Sequence, residues 1–105
     1  MSSPTQRSLK YLRARGMVAQ VVEKFNHFAK IRQDLFGVID IVAMSRLEGI
    51  VGVQTTTYSN MSARREKIKF SNLAYIWLES GGHIWLHGWK KLKNGRWELK
   101  EERIR

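Results

Sequence analysis

The sequence predicts an α/β domain in which helices pack on one mixed sheet, with an extra strand at the C-terminus. Three observations carry that expectation. Residues 34–57, DLFGVIDIVAMSRLEGIVGVQTTT, read as two short apolar strands joined by a polar connection. Leu73, Ile76 and Trp77, with Tyr75 and Leu78 beside them, recur at helical spacing and stop at the Gly81-Gly82 break. Residues 83–89, HIWLHGW, then return to a period of two, and Asn94-Gly95 gives a hairpin signal before a last strand over 96–104. The coarse order is α-β-β-β-α-β-β, in a single domain spanning residues 1–105 without linker or repeat.

Taken in order, residues 1–3 are expected to fray, with Ser3 capping a helix whose first turn holds Pro4. Leu9, Leu12 and Tyr11 form its apolar stripe, Arg7, Lys10, Arg13 and Arg15 surround it, and Gly16 ends it. Residues 17–25, MVAQVVEKF, are β-branched and read as one strand. Residues 26–33 are a polar, basic connection. Asp34 opens the central stretch, where Gly37 permits a bend. Ser59, Asn60 and Ser62 are N-cap candidates for a basic helix over 62–70, and Ser71 and Asn72 mark a break or a second cap. In the last strands Trp85, Trp89 and Trp97 suit cross-strand packing or base stacking.

Composition narrows the partners. A net charge of +10 on 105 residues favours a polyanion: nucleic acid first, an anionic membrane surface second. With no cysteine, disulfides, thiolate nucleophiles and cysteine zinc sites are excluded. No apolar run approaches a membrane span and no signal peptide is visible, so a soluble cytoplasmic protein is expected. His83 and His87 lack a third ligand for zinc.

The central stretch holds the chemistry. Asp40 lies among Val38, Ile39, Ile41 and Val42, where an unpaired charge costs of order several kcal/mol. It needs a partner or a task, and a metal ion supplies both. Alternation puts Val38, Asp40 and Val42 on one face, and Gly52, Gln54 and Thr56 on one face of the next strand. If the strands are neighbours, Asp40, Gln54 and Thr56 converge. The plainer alternative is that Asp40 caps a turn and the threonines are ordinary strand formers.

The order of elements, the run G-V-I-D-I-V-A at 37–43, the V-Q-T-T at 53–56 and the segment 77–89 resemble the PD-(D/E)xK nuclease superfamily. The resemblance covers about Leu9 to Trp89 and is closest to small archaeal and phage Holliday-junction resolvases. It implies a restriction-endonuclease-like αβββαβ core and a Mg2+- or Mn2+-dependent endonuclease acting on branched DNA in recombination, repair or phage DNA processing. It also implies a homodimer, for which an apolar strip around Ile76, Trp77 or Trp85 is a candidate surface. Asp40 matches the family's metal-binding aspartate, Gln54 stands at its second acid as a metal ligand offering a neutral oxygen, and Thr56 stands where its lysine is expected. These last two are departures. Lys67 is the first choice to supply the missing cation and Arg64 the second. Asp34 and Glu23 are further metal ligands that restore negative charge. Arg13, Arg15, Lys30, Arg32, Arg64, Arg65, Lys90 and Lys91 are the expected phosphate contacts. A catalytically inactive DNA-binding module is the alternative, favoured by the missing acid and lysine. A basic structural protein of a ribonucleoprotein ranks third, since it leaves Asp40 unexplained.

Overall fold

The computed structural model describes residues 3–105, so Met1 and Ser2 of the expected frayed end lie outside the described residues. Ser3 is a cap: its hydroxyl oxygen accepts the Gln6 N–H at 3.2 Å. Helix α1 (Pro4–Ala14) follows, with Pro at its start. The chain turns at Gly16 with φ +85°, a conformation that glycine adopts without strain. Strand β1 (Val18–Val21) comes next, then a hairpin of β2 (Lys24–Asn26) and β3 (Ile31–Gln33). Strands β4 (Ile41–Ser45) and β5 (Gly49–Thr57) form the central pair. A 3₁₀ turn (Tyr58–Asn60), helices α2 (Met61–Lys69) and α3 (Asn72–Glu79), and strands β6 (His83–Lys91) and β7 (Trp97–Ile104) complete the order. Ser71 caps α3, accepting the Ala74 N–H at 3.1 Å.

Five strands make one mixed sheet in the order β1-β4-β5-β6-β7. Every neighbouring pair is antiparallel except β5 and β6. Parallel neighbours need a crossover, and α2 with α3 provides it. Alternation along β6 separates two cores. Trp85 packs with Leu12, Met17, Ala19, Ile41, Ala43, Val51 and Val53 under α1. Ile84 and Leu86 pack with Met61, Ile68 and Ala74 of the crossover helices, together with Val38 and Ile39. The sheet is thus a middle layer between helices. Among the described residues no helix is long and apolar enough to cross a membrane.

Two expectations need correction. The strand expected over 17–25 divides. β1 stops at Val21 because its partner β4 starts at Ile41, and the Val22 N–H closes on the Asp40 carbonyl at 2.9 Å. Beyond that point the chain has no neighbour in the main sheet, so 24–26 pairs with 31–33, inside the expected connection. Asp40 also lies just before β4, not inside it. Residues 35–39 close a tight turn through a Leu35–Ile39 bridge, with Phe36 at φ +55° and Gly37 at φ +77°. The turn breaks strand alternation, so Val38 and Ile39 both enter the crossover-side core.

Gly52 marks the closest approach in that core. A Cβ there would lie 2.6 Å from Ile39 Cδ1 and 2.8 Å from its Cγ1. Gly52→Ala is therefore expected to cost ~1–3 kcal/mol through overpacking, read as a lower urea midpoint at unchanged slope. An unchanged midpoint would show that Ile39 moves aside freely.

Candidate functional site

The start of β4 and the far half of β5 build the site. Antiparallel pairing sets Ile41 opposite Val53, and the Asp40 N–H donates to the Val53 carbonyl at 2.9 Å. That places the Asp40 side chain beyond the end of β4, against the next two residues of β5. Its Oδ2 accepts from Gln54 Nε2 at 2.7 Å, the Thr55 N–H at 2.8 Å and Thr55 Oγ1 at 3.1 Å. Thr55 Oγ1 lies 2.7 Å from Thr5 Oγ1, which fastens the start of α1 to the same spot.

Two more acids meet Asp40. One carboxylate oxygen from each of Glu23, Asp34 and Asp40 lies within 4.8 Å of the others, the spacing of groups able to share one cation. Asp34 Oδ2 accepts from Gln54 Nε2 at 3.3 Å and lies 3.5 Å from Lys67 Nζ. Glu23 pairs with Arg32 at 2.6 Å. The group lines a cleft of ≈ 470 Å³ together with Pro4, Thr5, Thr56, Asn60 and Arg64. A larger cleft of ≈ 620 Å³, beside Leu47, Glu48 and Gly82, contains a single acid, which is tied to Arg15 and Arg103.

The two aspartates are pushed in opposite directions. Burial pushes the Asp40 carboxyl up to about 7, the adjacent Asp34 adds to the shift, and the Thr55 N–H works against it. Asp34 is held below the ordinary carboxylate range. Burial opposes its charge, but hydrogen bonds from Asp40 and Gln54 and the Lys67 ammonium outweigh that cost. With its pKa pushed up to about 7, Asp40 is only partly ionised near neutrality. Three acids with hard oxygen donors and no sulfur suit Mg2+ or Mn2+.

The expected site residues are thus placed as follows. Asp40, Gln54, Asp34, Glu23 and Lys67 come together, and Thr56 and Arg64 line the same cleft. Gln54 turns its amide nitrogen toward the two aspartates, and its buried Oε1 has no hydrogen-bond partner. Lys30 and Arg32 lie on the exposed hairpin, and Lys90 and Lys91 are exposed beside Tyr58 and Trp97. Four expected phosphate contacts have internal partners, one of them Arg32 on Glu23. Arg13 donates to the Ala19 carbonyl, Arg15 meets Glu48 and Glu101, and Arg65 makes a two-pronged pair with Glu102 at 2.7 Å. Thr55 and Thr5 were not legible: alternation assigns Thr55 to the far face, and only the position of Asp40 past the strand end brings it in. Also missed is a buried network in which His87 meets Ser8 and Glu101, each at 2.8 Å, while Trp89 donates to Ser8 at 2.8 Å.

Protein-family models, curated proteins and solved structures all give no match to this chain.

The proton on Asp40 gives stability a signed pH dependence. Its folded pKa is raised, so its contribution is full below the ordinary value of 3.8 and is lost as pH rises through about 7. Asp34, with its pKa lowered, has the opposite sign and loses its contribution only at more acidic pH. In metal-free buffer, wild type should lose ~5 °C more in Tm than Asp40→Asn between about pH 5 and about pH 8. Parallel Tm profiles for the two proteins would show that the proton is not held there.

Proposed function

We propose that the chain is a metal-dependent DNA endonuclease that hydrolyses phosphodiester bonds in branched DNA, such as Holliday junctions, within the PD-(D/E)xK nuclease superfamily. One observation carries this reading: Glu23, Asp34 and Asp40 converge in a cleft that also holds the ammonium of Lys67. The order of the main-sheet elements supports it. With the β2–β3 hairpin set aside, α1, β1, β4, β5, the crossover helices and β6 repeat the αβββαβ order of that superfamily. The net charge of +10 supports a polyanionic substrate.

The residues divide the task. Glu23, Asp34 and Asp40 would hold Mg2+ or Mn2+, and Asp40 gives up its proton on doing so. Such an ion, when bound, relieves charge on the phosphate and makes a nucleophile of water near neutral pH. Gln54 positions the acids, since its amide donates to Asp34 and Asp40 at once. Lys67 brings to the cleft the cation that Thr56 cannot, and Arg64 stands one helical turn before it on the same wall. Together they stabilise charge developing on the scissile phosphate. Lys30, Arg32, Lys90 and Lys91 track the flanking backbone. Symmetric cutting of a junction calls for a two-fold dimer. Of the residues expected at its interface, Trp85 is in the core and Ile76 is exposed.

One observation favours the non-catalytic alternative. The Gln54 amide nitrogen already satisfies both aspartates, as in a closed structural network. Labelled junction, flap, duplex and single-stranded DNA incubated with Mg2+, Mn2+ or EDTA separate the two readings. The nuclease cuts only with metal, Asp40→Asn abolishes cutting while DNA binding persists, and Lys67→Ala lowers the rate by about 10²–10³. Wild type that binds every substrate and cuts none establishes the binding module.

A further inference from the structure

We propose that the β2–β3 hairpin is a base-stacking finger, with Phe28 at its tip packing on an unpaired base next to the acidic cleft. The inference rests on the reading of the partner as DNA, and it adds the feature by which a branch is told from plain duplex.

The hairpin has no folding reason to be apolar. Its strands pair only with each other, and none of its residues belongs to either core. Yet Phe28 is 101% exposed, and Phe25 and Ile31 are about half exposed. The tip is built, not loose. Asn26 Oδ1 accepts the N–H groups of Phe28 at 3.0 Å and Ala29 at 3.1 Å, Lys30 adopts φ +55°, and Phe25 meets His27 edge to face at 5.0 Å. This side-chain-closed turn holds Phe28 outward with little ordering left to lose on binding.

Its root is tied to the site. Arg32, opposite Phe25 in the hairpin register, pairs with Glu23 at 2.6 Å, and Arg32 and Glu23 both line the cleft. The charge fits one occupant. Residues 24–33 carry Lys24, Lys30 and Arg32 and no acid. Cations beside an exposed aromatic ring match phosphate alternating with base, whereas a second copy of so basic a ribbon would be repelled. A ring in duplex DNA has no free face, so this contact is available only where a base is unpaired.

The test uses the full chain in EDTA, so it does not depend on cleavage. Duplexes carry 2-aminopurine either at the unpaired position of a three-way branch or within continuous pairing. Wild type and Phe28→Trp should change the fluorescence of the unpaired probe, and Phe28→Ala should bind the branched DNA about tenfold more weakly without that change. Affinity for continuous duplex should be equal in all three. The proposal is overturned if Phe28→Ala matches wild type on branched DNA, or if it loses affinity for duplex by the same factor. It is also overturned if the substitution abolishes binding to phosphatidylserine vesicles or self-association in sedimentation while leaving the fluorescence intact. Absence of metal-dependent cutting would count against the nuclease reading alone, because stacking is read without metal.

Discussion

A single carboxyl group, buried at the mouth of β4, governs the geometry around it. Asp40 meets the Gln54 amide, the Thr55 backbone and the Thr55 hydroxyl on one oxygen. Those donors come from consecutive residues of β5, so the contact exists only in the observed register, Ile41 against Val53. A slip of one residue would exchange the faces of the strand and bury the wrong side chains. The same strand then pairs in parallel with β6, and parallel pairing demands a crossover. That crossover carries Arg64 and Lys67 over the acids. Strand register and helix placement thus set opposite charges around one cleft.

Part of the excess positive charge fastens the fold. Arg15 bridges Glu48 and Glu101, and Arg65 grips Glu102. Burial works against the charge of Glu101, but His87 and Arg15 outweigh it and hold its pKa below the ordinary range. Ser8 and His87 are fully enclosed, so the chain of contacts from Ser8 through His87 to Glu101 ties α1 to β6 and β7 and offers no open nucleophile. Arg7 stacks 3.4 Å from the centre of the Trp97 ring. Elsewhere Arg32 is held by Glu23 and Lys67 by Asp34, while Lys90 and Lys100 lie over the Tyr58 ring.

Elements with many repeats of one period were legible in the sequence. The Ser3 cap, the Ser71 cap, the helical spacing through Trp77 and the alternation of β6 all announced themselves, because each is a local rule satisfied by neighbouring residues. The hairpin did not, since two three-residue strands leave too short a record for a period of two. The convergence of Asp40 with Gln54 followed from strand pairing. The entry of Glu23 and Lys67 was visible only as a demand for compensating charge, because their distances are set by the chain path between elements. Thr55 escaped for a geometric reason: face alternation assumes that both residues lie within paired strands, and Asp40 lies just past the end of one.

The first turn of α1 has a consequence for how the molecule is handled. Pro4 and Thr5 form part of the cleft wall, and Thr5 touches the same threonine that Asp40 holds. Ser3, which caps that turn, is exposed, whereas Arg105 follows the end of β7 and borders the separate cleft beside Gly82. An affinity tag or fusion partner placed after Arg105 therefore leaves the approach to the acids clear.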